Sequence, residues 1–183
     1  MTAFTIHSSN QAPVKSQAML ATVQEKYGFV PNLFGALAEA PSTLEAYIAL
    51  GSALERTSLS PAEQQVVLIA TSVENSCEYC VAAHSLVAKH MLKVDSAVVG
   101  ALRDKTQVPD DKLQALANFT RAVVKNRGEA NEKMLEEFFA AGYSNQQVLE
   151  VILGVAMKTL SNYANHLMNT PLDDAFKPEV WSK

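Results

Sequence analysis

Leu59-Ser60-Pro61-Ala62-Glu63 opens the stretch that decides the fold, and Cys77-Glu78-Tyr79-Cys80-Val81-Ala82-Ala83-His84 closes it. The opening is a helix start, with Ser60 as the cap, Pro61 at the first helical position and Glu63 completing a capping box. Val66-Val67-Leu68-Ile69-Ala70 follows, apolar all round, as in a helix buried on every side. Asn75-Ser76 breaks that helix. Ser76 is then expected to cap a second one, which runs to about Met91 and places Cys77 in its first turn.

The same punctuation recurs on both sides. Upstream, Pro13 is expected to take a first helical position, with Leu20, Val23 and Tyr27 on one apolar face and Gly28 as the stop. A short helix opens within Phe29-Val30-Pro31-Asn32-Leu33-Phe34 and runs to Pro41. Ser42 and Glu45 read as a capping box ahead of Leu44, Tyr47, Ile48 and Leu54. Downstream, Asp95 caps a helix through Arg103, and Pro109-Asp110-Asp111 starts one that Gly128 ends. Asn131 to Ala141 carries Met134, Leu135, Phe138 and Phe139 before Gly142. Ser144 and Gln147 box the start of a long helix through Val148, Ile152, Val155, Leu160 and Tyr163 to about Met168, with Pro171 beyond it. Residues 1–12 read as an irregular arm and 172–183 as a tail. With no sustained strand alternation, repeat or linker, the chain reads as one all-α domain over residues 1–183.

Apolar residues make up 48% of the 183 and charged residues 19%, the composition of an ordinary globular protein with a substantial core. The net charge of −4, with no basic cluster, argues against nucleic acid as a partner. The apolar stretches are too short to span a membrane, and Met1 to Pro13 lacks the pattern of a secretory signal. Two cysteines in one C-x-x-C then point to a reducing compartment, and a cytoplasmic location is expected.

At about 100° per residue Cys77, Cys80 and His84 share one helix face, and Cys80 and His84 are direct neighbours at i and i+4. An imidazole one turn away can support a thiolate, as can the positive end of a helix. Two thiols at this spacing can close a disulfide most easily where the backbone is not yet regular helix. Thiol–disulfide chemistry is therefore the leading reading. A metal site would use Cys77, Cys80 and His84 with His90 or His166 as fourth ligand, but it lacks a second closely spaced ligand pair. Buried structural thiols are the third reading. His7 is expected to be solvated and His90 partly exposed, while His166 is a candidate to face a polar pocket.

The run from Leu59-Ser60-Pro61-Ala62-Glu63 through the C-x-x-C-x-x-x-H motif resembles the carboxymuconolactone decarboxylase superfamily, and within it the alkylhydroperoxidase D-like, peroxidase-related branch. The resemblance extends from Val30-Pro31 to Asn165-His166-Leu167 and on to Asp173. It implies an all-helical domain of about eight or nine helices and a homo-oligomer, trimer or hexamer. It also implies that Cys80 is the thiol that attacks a peroxide, Cys77 the resolving thiol and His84 part of a proton relay. Two positions depart from the pattern: Gln65 stands where the family's relay glutamate is found, and Tyr79 where the alkylhydroperoxidase has a histidine.

The expected function is thus a thiol-dependent, peroxidase-like oxidoreductase that reduces alkyl hydroperoxides through a Cys77/Cys80 disulfide. An external dithiol resets the pair, and no metal or bound organic cofactor is required. The alternatives are a non-catalytic redox-sensing oligomer and a Cys/His metal-binding protein.

Overall fold

The computed structural model describes residues 4–129 and 131–183; residues 1–3 of the expected arm lie outside them. Among the described residues the chain is helical, with no strands. The helices are α1 (Val14–Tyr27), α2 (Asn32–Leu37), α3 (Pro41–Leu54), α4 (Pro61–Glu74), α5 (Glu78–Leu86), α6 (Ser96–Arg103), α7 (Asp111–Lys125), α8 (Glu132–Ala140) and α9 (Asn145–Met168). A π-helical turn, Val87–Met91, continues α5, and a 3-10 helix, Asp174–Glu179, follows α9. This is the expected all-α architecture.

α4 is the hub. It packs against α5, α6, α7 and α9, and every residue from Val66 to Val73 is buried. One side contributes Val66, Val67, Ile69, Ala70 and Val73 to a core shared with α6, α7 and α8. There Phe138 lies stacked between Phe119 and Tyr143. Leu68, from the other side, joins a second core made by α1, α2, α3, α5 and the C-terminal half of α9, and this core holds both cysteines. The start of α4 matches its sequence: the Ser60 hydroxyl accepts from the Glu63 amide, and the Glu63 carboxylate accepts from the Ser60 amide. The box at Ser144 and Gln147 forms in the same way.

Five expectations need correction. Pro13 sits one residue before α1, as its cap, and Tyr27 at the far end of the expected apolar face stays half exposed. Ser42 and Glu45 form no capping box, because Pro41 already occupies the first position of α3 and Ala40 is the cap. Ser76 does not cap α5; it takes a left-handed conformation (φ 57°) and closes α4 instead. Residues 172–183 are more than a tail. Glu179, buried, accepts from Lys89 at 2.7 Å, Arg103 at 3.0 Å and His90 at 3.0 Å, which clamps the segment across the end of α5. The described part of the N-terminal arm is irregular, but the His7 amide donates to the Gly35 carbonyl at 3.1 Å.

Gly154 governs how closely α9 approaches α4. A Cβ there would lie 2.7 Å from Val67 Cγ1, on a side chain with no exposed surface. Gly154→Ala gains about 1 kcal/mol of helix propensity but overpacks a filled core at a cost of about 1–3 kcal/mol. The variant is expected to be destabilised by about 1 kcal/mol in denaturant titration, despite the better helix former.

Candidate active site

α4 and α5 share their joint, and that joint positions the first thiol. The Ser76 amide donates to the Val73 carbonyl at 3.1 Å and the Cys77 amide to the Ser72 carbonyl at 2.9 Å, a Schellman closure of α4. Cys77 is at once the residue after that closure and the N-cap of α5, with extended backbone (φ −92°, ψ 93°). Cys80 lies in the first turn of α5. Both are free thiols with 1% of their surface exposed. The non-helical backbone at Cys77 is the condition under which a pair at this spacing can approach closely enough to bridge.

The other half of the site comes from α9. Lys158, Ser161, Asn162 and Asn165 are all buried on one side of that helix. The Asn165 amide nitrogen donates to Cys80 Sγ at 3.3 Å and lies 3.8 Å from Cys77 Sγ. Cys80 Sγ and Ser161 Oγ are 3.8 Å apart. Asn162 ties α9 to the joint, accepting from Asn75 at 2.9 Å and donating to Ser72 at 3.4 Å. None of these α9 residues was singled out from sequence. Their signal is a run of polar side chains recurring every three or four residues inside an otherwise apolar helix.

His84 stands between two partners. Its Nδ1 is 3.0 Å from Gln65 Oε1 and its Nε2 is 3.0 Å from Lys158 Nζ. An ammonium has only donors, so Nε2 accepts and Nδ1 carries the proton given to the Gln65 carbonyl. The imidazole is therefore neutral. Burial, and then the charge of Lys158, hold its pKa well below the ordinary value. Gln65 and His84 are in contact, as the expected relay requires, but the cation beside the thiols is an ammonium rather than an imidazolium.

The thiols are unlike each other. Burial opposes a charge on Cys80, yet hydrogen bonding from Cys77, the charge and hydrogen bond of Lys158, and Ser161 outweigh it and hold Cys80 well below an ordinary thiol. Cys77 is pushed up, first by its hydrogen bond to Cys80 and then by burial. Cys80 is thus the more acidic thiol of the two.

The remaining histidines lie elsewhere. His166 is exposed, and its neighbour Asn165 is the residue turned to the thiols. His7 is not free in solvent: its ring is mostly covered and bonds to Glu39 at 2.6 Å. His90 is exposed and pairs with Glu179. Among the described residues no three of His, Cys, Asp and Glu gather in a way that could hold a metal ion. Tyr79, buried between the cysteines, donates to Asp173 at 2.5 Å and accepts from the Leu33 amide, so it anchors the C-terminal segment and leaves the thiols alone.

Residues 41–123 match the sequence model of the carboxymuconolactone decarboxylase family. The fold is shared with an uncharacterised peroxidase-related protein from Ralstonia eutropha JMP134, an alkylhydroperoxidase AhpD core, at 26% identity and a TM-score of 0.82 over 96% of each chain. It is shared with a peroxidase-related protein from Silicibacter sp. TM1040 at 20% identity and a TM-score of 0.80, over 96% of this chain and 95% of that one. The debrominase Bmp8 also has it, at 18% identity and a TM-score of 0.81, over 98% of this chain and 96% of that one. A search of curated proteins finds no match.

The neutral imidazole has a measurable consequence. When the chain unfolds, His84 regains its ordinary pKa of 6.5, so between that pH and its lower native value the unfolded state binds one more proton. Stability should therefore fall as the pH drops below 6.5, before Glu63 and Glu179, held below their ordinary 4.5, begin to titrate. Cys80, held below its ordinary 9.0, adds a slope of the same sign over this range, so His84→Gln, which keeps an acceptor for Lys158, should make the melting temperature fall less steeply than in the wild type between pH 6.5 and about 5.

Proposed function

We propose that this chain, AhpD-like in fold and carrying the carboxymuconolactone decarboxylase pattern over residues 41–123, is a thiol-dependent peroxidase-like oxidoreductase. The observation that supports the reading is the pair itself: Cys77 and Cys80 lie free and buried at the α4–α5 joint, with Asn165 donating to Cys80 Sγ at 3.3 Å and Lys158 placed to lower the Cys80 pKa while that of Cys77 is pushed up. Cys80 attacks the terminal oxygen of a hydroperoxide and becomes a sulfenic acid, while the alkyl-bearing oxygen leaves as an alkoxide and takes up a proton. The Cys77 thiol then condenses with the sulfenic acid, forming the disulfide and releasing water. An external dithiol restores both thiols by exchange. His84, oriented by Gln65, belongs to the proton path. With 1% of Cys80 exposed, the site favours a slender peroxide that can enter O–O end first.

No described helix is long and apolar enough to cross a membrane. A site that must be reset by a dithiol suits the cytoplasm. The expected oligomer also has a candidate face. Leu149, Ile152, Tyr163 and Leu167 are exposed on one stripe of α9, within about 60° at 100° per residue. The stripe is uncharged and about 27 Å long at 1.5 Å per residue, and a second copy offering the same apolar surface is its occupant. Leu167→Glu should shift the species seen by light scattering toward the monomer, with the helical content retained.

Purified protein given hydrogen peroxide or an alkyl hydroperoxide plus dithiothreitol should consume many equivalents of peroxide; consumption of one would identify a sensor instead. Cys80→Ser should lower the rate by roughly two or more orders of magnitude. Cys77→Ser should complete one turnover and leave a sulfenic acid on Cys80 that dimedone traps. An adduct on Cys77 of the Cys80→Ser protein at the wild-type rate would reverse the two roles.

A further inference from the structure

Lys158 has no exposed surface, and the groups facing it can be named from each helix around it. α5 presents Cys77, Cys80 and His84, α3 presents Tyr47, and α4 presents the uncharged Gln65 behind His84. No carboxylate among the described residues pairs with it. A buried ammonium without a counter-ion is strongly unfavourable. Tyr47 stays a neutral phenol, because burial raises its pKa, and His84 is neutral. Cys80 is the group placed to supply the balancing negative charge: Ser161 and Asn165, on the same face of α9 as Lys158, both reach its Sγ, and His84, one turn on from Cys80, touches Lys158 Nζ at 3.0 Å.

We infer that Lys158 is a catalytic residue: its ammonium neutralises the Cys80 thiolate before the reaction and gives its proton to the leaving oxygen during it. The inference rests on the peroxidase-like reading for its second half only. Once Cys80 has become part of a neutral disulfide, the ammonium would stand alone in the core, and the alkoxide formed beside it is a strong base. The reaction balances as a Cys80 thiolate, a Cys77 thiol, a protonated Lys158 and ROOH giving a disulfide, a neutral Lys158 amine, ROH and water. The core carries no net charge in either state. His84, half-buried and with its Nε2 3.0 Å from Lys158 Nζ, is the route by which the proton returns when a dithiol reduces the pair.

Two substitutions separate the two roles. Lys158→Met fills a similar volume without charge, and its thermal melt checks that it folds. Cys80 in this variant should react with iodoacetamide at least about tenfold more slowly near neutral pH, with its rate profile moved to alkaline pH by a unit or more. Lys158→Arg keeps a cation that does not deprotonate in proteins, so fast alkylation should survive. Protons taken from solvent are then counted with a pH indicator in weak buffer while diamide oxidises the pair. Diamide accepts two hydrogens whether or not the protein reduces peroxide. The wild-type protein should take up none per disulfide, and the Arg variant one. Superimposable alkylation profiles for wild type and Lys158→Met would overturn the counter-ion role. Uptake of one proton by the wild-type protein would overturn the proton-donor role. If diamide behaves as expected and peroxide forms no disulfide, the peroxidase-like reading fails and the Lys158–Cys80 pairing stands.

Discussion

The close approach of α9 to α4 is the constraint on which the site depends. Gly154 lets the Val67 side chain pack directly on the backbone of α9, and the residues one to three turns further along α9 then reach the α4–α5 joint. Lys158 arrives at His84, Ser161 and Asn165 at Cys80, and Asn162 at Ser72 and Asn75. A long side chain at residue 154 would draw all four residues away from their partners together, because one rigid helix carries them. The Schellman closure makes the opposing surface equally rigid, since Ser72 and Cys77 are joined by a backbone hydrogen bond. Both thiols are thus presented from backbone that has little freedom to move, a favourable starting point for chemistry that depends on orientation.

Burial sets the electrostatics. In a site that water hardly enters, a charge persists only beside its opposite, and the proposed pairing of Cys80 with Lys158 is the form that takes here. The departures at Gln65 and Tyr79 fit the same logic. An amide at residue 65 orients the imidazole without adding a second anion that would compete with Cys80 for the ammonium. Tyr79 brings no titrating imidazole to the thiols, and its hydroxyl serves the C-terminal segment through Asp173. That segment, clamped again at Glu179, covers the end of the helix that bears the cysteines.

Local chemistry made most of the helices legible. The capping boxes at Ser60 and Ser144, Asp95 and Asp110 as caps, and the left-handed glycines Gly28 and Gly142 act within four residues of chain, and each behaves as its spacing suggests. Where two local signals competed, the backbone constraint won. Pro41 displaced the box at Ser42, and the need to close α4 drew Ser76 into a left-handed turn instead of a cap. His166 and Asn165 illustrate the limit of residue type as a guide. The histidine looked chemical and faces solvent, while the amide beside it meets the thiols, because 100° of helix rotation separates neighbours.

By itself the sequence determined that the chain is all-helical, that α4 is buried on every side, and that Cys80 and His84 share one face of one helix; Cys77, expected in its first turn, caps that helix from extended backbone instead. Those are consequences of short-range periodicity and capping, which residues in sequence impose on each other directly. Only the tertiary structure decided which cation lies beside the thiols, for Lys158 is 78 residues from Cys80 along the chain and comes beside it through helix packing. It decided too that His84 is neutral, since its protonation depends on an ammonium brought up from another helix. Charge acts across space irrespective of chain order, so the ionic state of the site was settled by the fold.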